Sequence, residues 1–423
     1  MNIKKILFLA SGVLITLSSL GQTTKEEVTS DLNKAGGIYY AYPVTESANT
    51  PAPKGYKPFY ISHYGRHGSR YLISDNDYLN PARLLHKADS LNALTPLGRD
   101  VMHRLDSLIV ITQGHGGDLS PLGVRQHRGI AERMYKAYPE VFKGDAEVSA
   151  RSTIVVRCVL SMDAFCERLK ELNPSLRTTR ESSNKYMNYL NYHSYESNAY
   201  TSSEWKEQYR KFQQTHVRPE RLVSSLFSAP LFIETEVNPE QLMWDLYYIA
   251  VGMQDIDSDL SFYDVFTPDE LYDMWQCFNY RFYVCDANFA GNRGLVLANA
   301  KPLLRNIIES ADAAIASGKP SSTLRFGHDG NVIPLAGILR LENCYESVSN
   351  PDEFPAAFAD FKIAPMAGNI QLIFFRNQKD PDDILVKFML NERETSIPIK
   401  TDTWPFYKWS EVKNFYETEI LPN

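Results

Sequence analysis

The sequence of 423 residues has few of the features that mark specialised classes of protein. Its five cysteines are an odd number, which argues against a disulfide scaffold. Glycine and proline, at 22 and 23 residues, are near average usage, which excludes a collagen-like repeat. A net charge of −7 excludes a general nucleic-acid binder, because such a protein needs a large positive surface. Any anionic ligand must therefore be bound by a local cluster of cations.

Long apolar runs are also scarce, and the one at the N-terminus is short. Residues 6–20 follow the basic pair Lys4 and Lys5 and lead into the small-residue pattern Ser19-Leu20-Gly21, which is typical of a secretory signal peptide. A retained anchor is the weaker interpretation, because about 20 apolar residues are needed to cross a bilayer. We therefore expect residues 1–21 to be removed, and the mature protein to be exported to the periplasm or secreted, without stable membrane insertion.

The cysteines are expected to be mostly small core residues. If Cys158 and Cys166 share a helix, they lie about 12 Å apart, which is too far for a disulfide. A bond between Cys277 and Cys285 requires the intervening segment to bend back.

The apolar patterning predicts an α/β fold, a doubly wound mixed sheet with helices on both faces. Thr95-Pro96 and Ser120-Pro121 each place a capping hydroxyl before a proline, which predicts two helix starts, and an amphipathic pattern predicts a helix over 154–172. Further helices are expected at 295–316 and 332–341. Strands are predicted at 58–64, 147–152, 323–327, 369–375 and 384–390, the last two as a hairpin.

One part of the chain differs from the rest in its amino-acid composition. Residues 173–293 are rich in tyrosine, asparagine and serine and then largely helical, with a capping box at Thr267-Pro268-Asp269-Glu270. We predict an inserted, mainly helical domain over this range. The α/β domain then consists of residues 22–172 and 294–423.

Chemically suggestive residues follow three of the predicted strands. Arg66-His67-Gly68-Ser69-Arg70 surrounds one imidazole with two guanidinium groups, on a loop where open α/β sheets bind ligands. Arginine matches phosphate geometry, and an imidazole whose pKa is lowered by nearby cations stays a nucleophile under acidic conditions. Gly68 lets the backbone approach closely, and its carbonyl can orient the ring. The alternative is an exposed basic loop.

The other two strand ends carry weaker patterns. Arg157 is predicted in the first turn of a helix after Arg151-Ser152-Thr153, where a helix N-terminus already favours an anion; the alternative is a surface arginine. His328 and Asp329 follow the predicted strand 323–327, so His328 can bind phosphoryl oxygens while Asp329 protonates a leaving alcohol. Turn chemistry is the alternative for this pair.

Together these segments resemble the histidine acid phosphatases, the branch of the histidine phosphatase superfamily that includes phytases and multiple inositol polyphosphate phosphatases. The resemblance is carried by RHGSR at 66–70, LSPLGVRQH at 119–127, RSTIVVRCVLSMDAF at 151–165 and the HD pair at 328–329. It implies that His67 is the nucleophile of a phosphohistidine mechanism and that Asp329 is the proton donor. It also implies four phosphate-binding residues, namely Arg66, Arg70, Arg157 and His328.

Two departures from the family pattern leave the substrate open. Tyr71-Leu72 follows the first box where the family usually has a proline, and the HD pair continues as Gly330-Asn331 rather than Thr-Asn. Residues 170–221 carry nine basic and six acidic side chains, which is either a basic wall for a polyphosphorylated ligand or a solvated helical face.

The sequence thus predicts an exported phosphomonoesterase acting on inositol polyphosphates, phytate-like substrates, or on other phosphate monoesters. Neither a metal nor a cofactor is required, and no zinc, P-loop or dinucleotide fingerprint is present. Two alternatives remain: a phosphoglycerate-mutase-like phosphotransferase, and a non-catalytic binder of phosphorylated ligands.

Overall fold

The structure is a computed structural model that describes residues 25–44, 49–202 and 205–422. The signal peptide predicted at residues 1–21 lies outside the described residues. The strands are β1 Tyr56–Arg66, β2 Glu147–Ser152, β3 Arg177–Ser182, β4 Ser321–Gly327, β5 Asn369–Asn377, β6 Ile384–Leu390, β7 Arg393–Thr395 and β8 Phe406–Lys408.

All strands belong to one sheet in the order β3-β2-β4-β1-β5-β6-β7, with β8 paired to β6. The first four strands, β1 to β4, run parallel to one another, whereas β5 is antiparallel to β1 and to β6. The predicted mixed sheet is therefore confirmed, including the hairpin of β5 and β6. Both hairpin strands are almost entirely buried, which explains why they appear in the sequence as continuous apolar runs.

The α-helices are α1 Lys25–Ser30, α2 Asn76–Ser90, α3 Pro96–Thr112, α4 Pro121–Ala137, α5 Val156–Leu172, α6 Met187–Leu190, α7 Tyr195–Ser202, α8 Lys206–His216, α9 Glu220–Leu226, α10 Pro230–Glu236, α11 Pro239–Gly252, α12 Pro268–Asp286, α13 Lys301–Ser317, α14 Asp329–Ile338, α15 Phe354–Ala357, α16 Asp360–Ile363 and α17 Trp409–Phe415. The predicted caps are present. Thr95 and Ser120 accept bonds from the backbone N–H groups of Gly98 and Gly123, and Thr267 completes its capping box with Glu270.

Helices cover both faces of the sheet because the strand side chains alternate between two apolar cores. Ile61 of β1 faces a core shared with α4 and α5, while the preceding Tyr60 faces a larger core shared with the remaining helices. In the smaller core, Phe165 of α5 packs edge-on against Phe326 of β4, with ring centroids 5.6 Å apart. The sheet is thereby fixed in position between two helical layers.

Two features of the chain near the parallel strands differ from what the sequence pattern indicated. β3 lies at 177–182, inside the range predicted as the inserted domain, but it pairs along its whole length with β2. The predicted boundary at residue 173 therefore separates two strands that are neighbours in the sheet. The helix that follows β4 also begins early: α14 starts at Asp329 rather than at residue 332, which places Asp329 in its first turn.

All five cysteines are free thiols. Cys158 and Cys166 share α5, as expected, and Cys277 and Cys285 share α12, so the chain does not bend back between the latter pair. In the part of the chain that the structure describes, no helix combines the length and apolarity needed to cross a bilayer.

Candidate active site

The three chemically suggestive segments meet at one edge of the sheet. β1 and β4 are parallel neighbours, with Arg66 paired in register with Gly327, so their following loops begin side by side. β2 lies on the other side of β4, and the N–H of Thr153 donates to the carbonyl of Phe326 at 3.0 Å. The topology therefore brings all six predicted site residues together.

His67 is held at two points, its backbone N–H and its imidazole ring. Its own N–H donates to the carbonyl of Gly327 at 2.9 Å, and its Nδ1 lies 2.9 Å from the carbonyl oxygen of Gly68. Because a carbonyl oxygen only accepts, Nδ1 carries the proton and Nε2 keeps its lone pair. The sequence-based expectation that Gly68 orients the ring matches this contact. The His67 and His328 ring centroids are 5.7 Å apart.

The pKa of His67 lies well below its ordinary value of 6.5. Burial is the largest cause, since the residue is only 2% exposed, and the charges of Arg66, Arg70 and Arg157 add to it. The neighbouring cations are recognisable in the sequence, whereas the larger contribution of burial is not. The imidazole is therefore neutral in mildly acidic solution.

Arg66 is completely buried and its guanidinium group is fixed on two sides. Nη1 donates to the carbonyls of Ile38 and, at 2.8 Å, Ala364, while Nη2 lies 3.0 Å from Oδ2 of Asp329. Ile38 belongs to a 3₁₀ segment, Leu32–Tyr39, that precedes β1. This segment therefore forms part of the support of the site.

Arg70 is supported by the same segment. Its guanidinium carbon lies 4.9 Å from the ring centroid of Tyr39, and its Nη2 donates to the Tyr39 hydroxyl at 3.3 Å. Arg157 is the second residue of α5. The Nε atoms of Arg66, Arg70 and Arg157 are buried without a hydrogen-bond partner among the described residues. Such donors are costly to bury alone, and phosphate oxygens are acceptors that would satisfy them.

His328 and Asp329 sit at the N-terminus of α14. His328 is its N-cap, and burial lowers the pKa of this histidine to about 4. Its Nε2 lies 3.2 Å from the Thr153 hydroxyl. Burial raises the pKa of Asp329, but the charges of Arg66 and His328 outweigh that effect and hold it below its ordinary value. Asp329 is therefore a carboxylate in this structure, and Gly330 donates its N–H to Oδ1 at 2.8 Å.

A buried network beneath the RHGSR loop was not expected from the sequence. The Ser69 hydroxyl donates to Oδ1 of Asp255 at 2.6 Å and accepts from Nε2 of Gln126 at 2.8 Å. The Ser120 hydroxyl reaches the carbonyls of Ser69 and Asp255, and burial raises the pKa of Asp255 to about 8. Ser69 and Gln126 lie within segments that sequence analysis singled out, whereas a lone aspartate after α11 carries no recognisable pattern.

Residues 66–391 match the family model of the histidine phosphatase superfamily, branch 2. The chain has no significant match among curated protein sequences. Its fold is similar to that of a multiple inositol polyphosphate phosphatase from Bifidobacterium longum in complex with inositol hexasulfate, with a TM-score of 0.75 at 16% identity over 92% of this chain and 98% of that one. The D. castellii phytase gives a TM-score of 0.66, also at 16% identity, over 91% and 85% of the two chains.

Proposed function

Because the chain belongs to branch 2 of the histidine phosphatase superfamily, as its resemblance to that family indicated, we propose that it is an exported phosphomonoesterase that works through a phosphohistidine at His67. The activity class is that of a histidine acid phosphatase. The observation that carries the mechanism is the meeting of a neutral, oriented His67 with buried arginines and a carboxyl from separate strand ends.

The first step is the transfer of the phosphoryl group to the imidazole. Arg66, Arg70, Arg157 and His328 supply the donors for the phosphoryl oxygens, so that little reorganisation is needed as charge develops in the transition state. Nε2 of His67 attacks phosphorus in line with the leaving oxygen. The N–P bond forms as the P–O bond breaks, and the departing alkoxide takes a proton from Asp329.

Asp329 acquires that proton through the charge of the substrate. In the structure its partner is Arg66, which stabilises the ionised form. A phosphate dianion drawn to Arg66 weakens that stabilisation and adds negative charge beside Asp329, and both effects raise its pKa. After the alcohol departs, Asp329 is ionised again. It then accepts a proton from the water that attacks the phosphohistidine and releases inorganic phosphate.

Release of inorganic phosphate from an aryl phosphate between pH 4 and pH 7 tests this proposal. We expect catalytic release by the purified protein without added metal. Stoichiometric binding of phosphate esters without release would favour a non-catalytic binder. Transfer of the phosphoryl group to a second alcohol, with little free phosphate, would favour a mutase-like phosphotransferase.

We further propose inositol polyphosphates as the substrate class. Support comes from the likeness in fold to an enzyme whose complex with inositol hexasulfate is known. The basic stretch 170–221 gives less support, because most of its cations form ion pairs with surface carboxylates. The paired residues are Arg177, Arg180, Arg210, Lys211, Arg218 and Arg221. We expect kcat/KM on inositol hexakisphosphate to exceed that on sugar phosphates and nucleotides; a preference for either of those would reject this choice.

Export is proposed from the N-terminal sequence alone. Mass spectrometry of the protein recovered from the medium or periplasm of its source cells is expected to find Gln22 at the N-terminus. An intact Met1 on cytoplasmic protein would contradict it.

Gly68→Ala is expected to disable the site without removing a reacting group. A Cβ at Gly68 would lie 2.6 Å from Cα and the carbonyl oxygen of Gly123, in the first turn of α4, so the loop that carries His67 must move. Because a displacement of about 1 Å can cost about 10²-fold, we expect kcat/KM for an aryl phosphate to fall by about that factor.

Gly129→Ala is the matched control on α4. There a Cβ would meet no backbone atom but only the guanidinium end of the Arg133 side chain, with Nη1 at 3.0 Å, and alanine favours a helix by about 1 kcal/mol over glycine. This variant is expected to keep wild-type kcat/KM and to melt no lower. Wild-type kcat/KM in Gly68→Ala would show that the close approach to Gly123 does not position His67.

A further inference from the structure

A second carboxyl lies beside the proposed proton donor. Asp286 is the last residue of α12, and its Oδ1 would be only 3.3 Å from a Cβ built on Gly330. The N–H of the same Gly330 donates to Oδ1 of Asp329 at 2.8 Å. Both carboxyls therefore lie around Gly330, that of Asp329 at its N–H and that of Asp286 beside the position that a side chain would occupy.

The surroundings of Asp286 differ from those of two other acids whose pKa is raised by burial, Asp255 and Asp360. Asp255 and Asp360 each accept hydrogen bonds from neighbouring groups, whereas no group in residues 25–44, 49–202 or 205–422 donates to the Asp286 carboxyl. Its charged neighbours are Arg281, on its own helix, and Asp329, on α14. The adjacent Cys285 is neutral, because burial raises the pKa of its thiol to about 12.

The two carboxyls titrate in opposite directions. Burial and then the charge of Asp329 raise the pKa of half-buried Asp286 to about 7, while Arg66 and His328 hold that of Asp329 below its ordinary value. Two interacting acids in one site release their protons in steps that belong to the pair. The last proton of this pair therefore leaves near neutrality, although Asp329 alone would lose its proton at much lower pH.

We propose that Asp286 and Asp329 form a carboxyl pair that shares one proton, held by Asp286 in the free enzyme and by Asp329 while a phosphate ester is bound. The inference rests on the proposed function and deepens it, since it identifies where the proton for the leaving group is kept. Asp286 does not touch the substrate. It acts through Asp329 and is a positioning residue for the proton.

The proton balance of the cycle is closed. As the ester binds and Arg66 turns to its phosphoryl oxygens, Asp286 becomes a carboxylate and Asp329 becomes the acid. Asp329 then protonates the leaving oxygen as the P–O bond breaks and the N–P bond forms. In the second half-reaction water attacks phosphorus and passes a proton to Asp329, and the N–P bond breaks. On release of phosphate the proton returns to Asp286.

Asp286→Asn tests the pair through pH profiles of kcat/KM on glycerol phosphate and p-nitrophenyl phosphate. The wild-type profile for glycerol phosphate is expected to fall through about pH 7, where the pair loses its last proton. In Asp286→Asn the only acidic proton is that of Asp329, so this descending limb should move down by at least about two pH units. At pH 6 we expect a loss of about tenfold or more on glycerol phosphate and a much smaller loss on the aryl ester.

Two further variants separate this role from a structural one. Asp286→Glu keeps a carboxyl, so the descending limb of its pH profile is expected to lie close to that of the wild type. Asp245→Asn removes another half-buried carboxyl whose pKa is raised by burial, on α11, with Asp77 rather than Asp329 as its acidic neighbour, and should leave both profiles unchanged. If the limb of Asp286→Asn coincides with that of the wild type, or both esters lose equally, the pair is rejected. If the wild type hydrolyses neither ester, the proposed function itself fails, and the pair with it.

Discussion

His67→Ala is expected to abolish turnover, with kcat falling by about 10⁴-fold or more on every phosphate ester. Nδ1 of His67 donates to the Gly68 carbonyl, which leaves Nε2 as the proposed nucleophile, and alanine offers no atom to form the N–P bond. Removing it leaves the arginines in place, so phosphate esters should still bind. Steady-state release of inorganic phosphate measures the first effect, and competitive binding of orthophosphate measures the second.

Trapping the phosphohistidine intermediate tests the role of His67 directly. Rapid acid-free quenching of the wild type with a labelled ester should place the label on His67 as an acid-labile phosphoramidate. His103→Ala, which removes an exposed histidine of α3, is expected to label and turn over normally. Label on another residue, or a His67→Ala enzyme that retains more than a small fraction of wild-type kcat, would assign the nucleophile elsewhere.

Asp329→Asn is expected to separate substrates by their leaving groups. General-acid catalysis contributes about 10²–10⁴-fold, and that factor should be lost on glycerol phosphate, whose alkoxide leaves poorly without a proton. On p-nitrophenyl phosphate the loss should be less than about tenfold, because nitrophenolate leaves unprotonated. Asparagine can still accept the bond from the Gly330 N–H, so the first turn of α14 is expected to persist. The ratio of the two kcat/KM losses is the measurement.

Equal losses on the two esters would remove Asp329 from the acid role. The loss of the ion pair with Arg66 alone affects both esters alike, since both place the same phosphoryl group on the same guanidinium. A larger kcat/KM loss on glycerol phosphate than on p-nitrophenyl phosphate therefore measures the loss of proton transfer to the leaving group and not a change in phosphate binding.

The parts of the fold and site that the sequence predicted are those with a local pattern. β5 and β6 are buried on both faces and appear in the sequence as apolar runs. The first turns of α3 and α4 are each marked by a capping hydroxyl followed by a proline. The six predicted site residues follow strands that were themselves recognisable. Their convergence then follows from one rule, that carboxyl ends of parallel strands share an edge of the sheet.

The parts that were missed have no such pattern. β3 is an edge strand whose residues RTTRES are almost all exposed, so it has no apolar alternation to detect. Asp255, just after α11, and Asp286, at the end of α12, gain their roles from segments far away in sequence, the RHGSR loop and the first turn of α14. Tyr39 supports Arg70 from a 3₁₀ segment too short and irregular to show a helical period. Contacts of this kind depend on tertiary packing, which single-sequence patterns do not encode.

The segment Leu32–Tyr39 shows that the site needs residues from before the first strand. The Ile38 carbonyl accepts a hydrogen bond from Arg66, and the Tyr39 ring packs against the guanidinium group of Arg70, although both residues precede the first strand of the sheet. A protein trimmed beyond Tyr39 would keep every strand and all six site residues, yet Arg66 and Arg70 would each lose one of the contacts that hold their guanidinium groups. The geometry of these two guanidinium groups thus depends on residues that lie outside the sheet.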